Sequence, residues 1–72
     1  MGKDIRIRFA QHLRKLRDQR GWTQERLAEE ADLAYRHVQR LESRKNPPPA
    51  KIDTLDKLAK AFRITPSKLL DY

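Results

Sequence analysis

Apolar residues recur along this chain at helical intervals, in five groups separated by polar punctuation. Ile5, Phe9, Leu13 and Leu16 fall at i, i+4, i+8 and i+11, one stripe of a helix predicted from about Asp4 to Gln19. The segment Ile5-Arg6-Ile7-Arg8-Phe9 also alternates like a strand, but a lone strand finds no pairing partner in so short a chain. Leu27, Ala28 and Ala31 form the inner face of a second helix, and the two alanines allow another helix to approach closely. Leu33, Val38 and Leu41 turn inward from a third. Ile52, Leu55, Leu58, Ala59 and Phe62 make a fourth stripe. A short last helix, about Pro66 to Asp71, carries Leu69 and Leu70.

The residues between these stripes say where each helix starts and stops. Asp4 suits the first N-terminus. Gly21 can close that helix in a left-handed conformation. Thr23 then caps the second, with Trp22 and Leu27 placed as a hydrophobic staple. In the turn Ala31-Asp32-Leu33-Ala34, Asp32 stands where a left-handed residue is needed, which Asp tolerates. Leu33 and Val38 repeat the staple. Ala34 falls at the third N-cap without a side-chain acceptor, a cost of about 1 kcal/mol relative to Ser or Thr. It leaves backbone N–H groups open to water or to a phosphate. Pro47, Pro48 and Pro49 end any helix and stiffen the loop that follows. Asp53 is expected to cap the fourth helix, and Asp56 to favour its first turn. Thr65 and Pro66 are expected to open the fifth as N-cap and N1, with Ile64 stapled to Leu69.

Residues 23–42 therefore read as two short helices joined by a tight turn. The second presents Tyr35, Arg36, Gln39 and Arg40 outward, with Ser43 just beyond. Taken alone, that is a solvated polar face. Charge changes its weight. The 72 residues carry 17 Lys and Arg against 10 Asp and Glu, a net +7, which points to an anionic partner. The excess is uneven. Residues 1–22 hold seven basic and two acidic residues, residues 23–46 balance at five and five, and residues 47–72 hold five and three. In a basic chain, an arginine-bearing second helix after a tight turn is the arrangement that enters a DNA major groove.

The sequence resembles the lambda-repressor-like, Cro/C1-type helix-turn-helix proteins of the XRE family. The matching residues are Leu16, Arg17, Arg20-Gly21-Trp22-Thr23-Gln24, Leu27-Ala28, Ala31, Val38 and Leu41-Glu42. Thr54-Leu55, Leu58-Ala59, Ile64-Thr65-Pro66 and Leu69-Leu70 match farther on, so the resemblance runs from about Ile5 to Leu70. Three positions depart from the common pattern: Asp32 and Arg44 stand where the family often has Gly, and Ala34 where it often has Ser or Thr. The resemblance implies an all-α, five-helix lambda-repressor-like fold, one domain over residues 1–72, that binds double-stranded DNA as a transcriptional regulator, repression by occluding a promoter being the simplest mechanism.

Candidate residues follow. Tyr35, Arg36 and Arg40 are the expected base contacts, with Gln39 next, because Arg suits guanine O6 and N7 and Gln suits adenine N6 and N7. Ala34 can touch a thymine methyl. The loop after the recognition helix supplies Ser43, Arg44, Lys45 and Asn46 for phosphates. Gln24 matches the family glutamine that contacts a phosphate. Arg6, Arg8, Arg14, Lys15 and Arg17 surround the first stripe, and Arg17 is assigned with the phosphate contacts. The resemblance also implies that Arg17 pairs with Glu42 and steadies the recognition helix. Two independent surface charges would gain under about 1 kcal/mol.

Other classes are less well supported. His12 and His37 lie on different helices with no further ligands at metal spacing, and neither Ser43 nor Ser67 sits in a nucleophile motif. No cofactor, metal or enzymatic activity is therefore expected. The chain has no Cys, which suits a reducing cytoplasm, and no apolar run approaching the roughly 20 residues of a membrane span. Its first ten residues lack the apolar core of a leader. An antitoxin that binds its own operator and a toxin remains an alternative, discriminated by co-purification of a small partner. A protein-interaction module that kept the fold without reading DNA is disfavoured by the basic balance. The proline run as an SH3-type ligand is weakened by its place inside a compact domain. A symmetric homodimer through the C-terminal helix is expected, because Leu69, Leu70 and Tyr72 exceed what so short a helix must bury internally.

Overall fold

Asp4 starts the first helix: its carboxylate accepts from the Arg6 backbone N–H at 3.0 Å. The computed structural model describes residues 4–72; Met1–Lys3, the first three of the ten residues without the apolar core of a leader, lie outside it. Helix α1 spans Ile5–Gln19. It ends in a Schellman motif. Gly21 has φ 68° and donates to the Asp18 carbonyl, while Trp22 N–H reaches back to Arg17 O. Thr23 then caps α2, Gln24–Ala31, by accepting from Arg26 N–H at 3.0 Å.

Asp32 takes the left-handed conformation expected of it, with φ 56° and ψ 48°, and Leu33 N–H bonds to Ala28 O at 2.9 Å. That single residue reverses the chain into α3, Tyr35–Leu41. Ala34 is its N-cap and makes no side-chain bond, as its chemistry requires. A proline-rich extended segment leads to α4, Ile52–Phe62, and a second left-handed residue other than glycine, Arg63 at φ 60°, closes that helix. Thr65 caps α5, Pro66–Leu69, accepting from Lys68 N–H at 3.2 Å, with Pro66 in its first turn. Among the described residues all five elements are α-helices. None is long and apolar enough to cross a membrane.

One apolar cluster joins the helices: Phe9 and Leu13 from α1, Leu27, Ala28 and Ala31 from α2, Val38 and Leu41 from α3, Leu58, Ala59 and Phe62 from α4, and Leu69 from α5. Each fully buried Leu, Val or Phe side chain contributes roughly 1.5–3 kcal/mol relative to exposure. The small α2 residues sit in the middle of this set, which lets α3 and α4 both lie close to α2.

Several expectations are corrected. Ile5 and Ile52, placed on the core stripes by spacing, are 66% and 85% exposed, because each lies in the first turn of its helix beyond the reach of the cluster. Spacing missed Ala10, which is fully buried, and Thr54, which is buried on α4. Asp53 is not the cap of α4. Lys51 holds that position without a side-chain bond, and Asp53 lies inside the first turn, where its carboxylate accepts from Thr54 N–H. Trp22 lays its ring on Phe62 of α4, with centroids 5.6 Å apart and planes 14° from parallel. Leu69 is fully buried and so unavailable for a dimer contact. Pro47 is also buried, so the proline segment is seated on the domain rather than held out from it.

Candidate nucleic-acid interface

The second helix of the α2–turn–α3 unit has two faces. Val38 and Leu41 point into the core and anchor it. Ala34, Tyr35, Arg36, Gln39 and Arg40 are exposed on the other side, and His37 is half-buried. Among the described residues no hydrogen bond or ion pair engages the side chains of Arg36, Gln39 or Arg40. Their donors face solvent, and an external partner would find them unpaired.

The charge balance of residues 23–46 is resolved by where the acids lie. Between Leu33 and Asn46 the sole acidic residue is Glu42, and it is buried. On α2, Glu30 pairs with Arg26 at 2.8 Å, and at the turn Asp32 lies 4.0 Å from the Lys57 ammonium. From Leu33 to Asn46 the surface therefore presents Arg36, Arg40, Arg44 and Lys45 with no accessible carboxylate among them. Arg44, Lys45 and Asn46 are exposed, whereas Ser43 is half-buried and its hydroxyl accepts from Lys45 N–H at 3.3 Å.

Glu42 is the node that fixes this surface to the rest of the domain. Its carboxylate takes Arg17 Nε at 2.8 Å and Arg17 Nη2 at 3.0 Å, a bidentate pair, and also Gln24 Nε2 at 3.0 Å. Arg17 Nη1 donates to Trp22 O at 2.7 Å. These bonds raise the Arg17 pKa above its already high ordinary value, hydrogen bonding to Glu42 being the main cause. The side chains are 14% and 1% exposed, so this is a desolvated pair and not two surface charges.

That geometry reassigns Arg17. Each of its three guanidinium nitrogens already contributes to protein acceptors, so it braces the recognition helix from within and is not an open phosphate contact. Gln24 keeps one N–H of its amide nitrogen beyond the bond to Glu42. Two features escaped the sequence reading: Gln24 shares the Glu42 carboxylate, and Arg14 Nη1 donates to the Glu42 main-chain carbonyl at 2.6 Å. Another brace lies on the far side, where Arg20 donates to Phe62 O at 2.6 Å and lies 4.8 Å from the Phe62 ring centroid. No spacing rule links residues so far apart in sequence; the signal available was only an excess of arginine on and just after α1. Among the described residues no group of three His, Cys, Asp or Glu side chains gathers to hold a metal.

A tight turn between two short helices, with a cationic outer face on the second, defines a helix-turn-helix DNA-binding domain. The model of the helix-turn-helix family matches residues 13–69, most of the chain and all of this unit. The chain belongs to that family, in its Cro/C1-type, XRE branch. Neither a curated protein nor a solved structure matches it.

Proposed function

We propose that this domain is a sequence-specific transcriptional regulator, acting as a repressor by occupying promoter DNA. The observation that carries the reading is the row of exposed, unpartnered Arg36, Gln39 and Arg40 on a helix whose opposite face is anchored in the core. Arg36 and Arg40 recognise guanine edges and Gln39 an adenine edge. Tyr35 and Ala34, at the tip of α3, add contacts to neighbouring bases or a thymine methyl. Gln24, Ser43, Arg44, Lys45 and Asn46 hold phosphates on either side and set the register.

Replacing Arg44 or Lys45 by Ala is expected to weaken selected and random duplex alike. Each change should also make the dependence of log K on log salt shallower by about one unit, the signature of a lost phosphate contact. Unchanged affinity and slope would assign both side chains to solvated surface.

The working unit in this reading is a symmetric homodimer. One short helix reads only a few base pairs, and two related by a two-fold axis double the readout, with half-site centres about 34–36 Å apart. With Leu69 buried, the apolar area at the C-terminal end comes from Leu70 and Tyr72, 46% and 38% exposed, and is extended by Ile5. These three line a shallow groove of about 220 Å³ together with Pro48 and Pro49. Sedimentation with and without a selected site is expected to give two protomers on one inverted repeat. One protomer on a site without inverted symmetry would rule out the dimer.

A further inference from the structure

We infer that Arg14 is a positioning residue for DNA recognition, acting through the main-chain carbonyl of Glu42. The inference rests on the DNA-reading function proposed above. Glu42 is the C-cap of α3, and its backbone N–H already bonds back to Arg40 O and Val38 O. Its carbonyl is one of the orphan acceptors that every helix end leaves over. Arg14 Nη1 fills that vacancy at 2.6 Å, across 28 residues of sequence. The bond is part-buried and charge-assisted, a class roughly twice as strong as neutral hydrogen bonds.

Its position gives it a consequence beyond capping. Glu42 is held at both ends: Arg17 and Gln24 fix the carboxylate, and Arg14 fixes the carbonyl. The side-chain bonds place the residue but not the peptide plane that follows, which is held by two other bonds, Ser43 N–H to Arg40 O at 3.1 Å and Arg14 to the Glu42 carbonyl. That plane leads directly into Ser43, Arg44, Lys45 and Asn46, the phosphate-holding loop. Arg14 is the long-range half of that hold, the bond that ties the orientation of the plane to α1. The local bonds of the loop, Ser43 N–H to Arg40 O at 3.1 Å and Lys45 N–H to Ser43 Oγ at 3.3 Å, depend on the same peptide. Arg14 and Arg17 also bring two cations to the carbonyl end of α3, where the helix dipole favours them. α1 thereby fixes both the angle of the recognition helix and the direction of the loop beside it, so that base reading and phosphate gripping share one register.

Arg14→Met tests this, because Met keeps the aliphatic stem and removes the donors. The variant is expected to keep the wild-type helical circular dichroism. Its affinity for a selected duplex should fall about tenfold, the loss of one charge-assisted bond. Affinity for random duplex should change by less than about twofold and the salt slope should stay the same, since no phosphate contact is lost. In the free protein, amide hydrogen exchange should quicken at Ser43 and Lys45 while core amides of α2 and α4 keep their protection. Arg14→Lys, which keeps a charge and a donor, should recover most of the selected-site affinity. Equal losses on selected and random duplex with a slope shallower by about one unit would make Arg14 a direct phosphate contact and overturn the inference. Wild-type affinity with wild-type exchange at Ser43 and Lys45 would overturn it as well. If the wild-type protein prefers no duplex sequence, the DNA-reading function fails instead, and the exchange rates at Ser43 and Lys45 alone decide the role of Arg14.

Discussion

Arg17→Met is expected to destabilise the domain by about 3–5 kcal/mol, the cost of leaving one member of a buried ion pair alone. Glu42 would keep only the Gln24 amide and the Arg14 bond to its backbone, with its carboxylate almost wholly out of water. Against the roughly 5–15 kcal/mol that a small domain has in total, that loss removes a large share and should lower the urea midpoint well below that of the wild type. The double variant Arg17→Met with Glu42→Met should recover much of that loss, because two packed apolar side chains replace a pair whose desolvation nearly cancels its attraction. Urea titrations of the wild type, both single variants and the double variant measure the coupling. A loss under about 1 kcal/mol for Arg17→Met would mean that the pair behaves like exposed charges. The same series addresses the phosphate role that the sequence predicts for Arg17. A braced Arg17 predicts that stability falls first and that DNA affinity follows only through unfolding.

Arg40→Ala is expected to cost about 1–3 kcal/mol of binding to the selected site and to relax preference at one base pair. Stability should hardly change, since the side chain is exposed and makes no bond among the described residues. Its neighbours on the core side, Val38 and Leu41, keep the helix in place. Specificity profiling of the variant against a library of single-base changes separates the possibilities. Uniform weakening across all sequences would make Arg40 a phosphate contact. A flat response at one position, with the rest of the profile preserved, is the signature of base readout.

The parts of this fold that are local in sequence were readable in advance. Thr23 and Thr65 act as caps, Gly21 and Asp32 take left-handed conformations, and Val38 and Leu41 anchor the recognition helix, because each depends on a few adjacent residues. Periodicity failed at helix ends. A stripe repeats Ile5 and Ile52 as inward positions, yet a terminal turn has no neighbouring helix over it, so both remain in solvent. Arg63 shows the complementary limit: local bonds, Arg63 N–H to Lys60 O and Ile64 N–H to Ala59 O, close α4 around a left-handed residue, yet Arg at that place gives no sequence signal because Gly or Asn adopts the conformation more easily. The Glu42 node lay beyond composition and spacing. Family resemblance implied its partnership with Arg17, but Arg14 and Gln24 join it only once α1, α2 and α3 are brought together in space. The outward face of α3 was legible as a face. Which of its side chains meets which base depends on the DNA and not on the chain alone.

Selection of bound sites from random double-stranded DNA tests the central claim, that α3 reads sequence, most directly. The wild-type domain should enrich one defined motif, arranged as an inverted repeat. The triple variant Arg36→Ala, Gln39→Ala, Arg40→Ala, folded by circular dichroism, should enrich none while still binding duplex at low salt through the loop cations. No enrichment by the wild type, or the same motif enriched by the triple variant, would contradict the account.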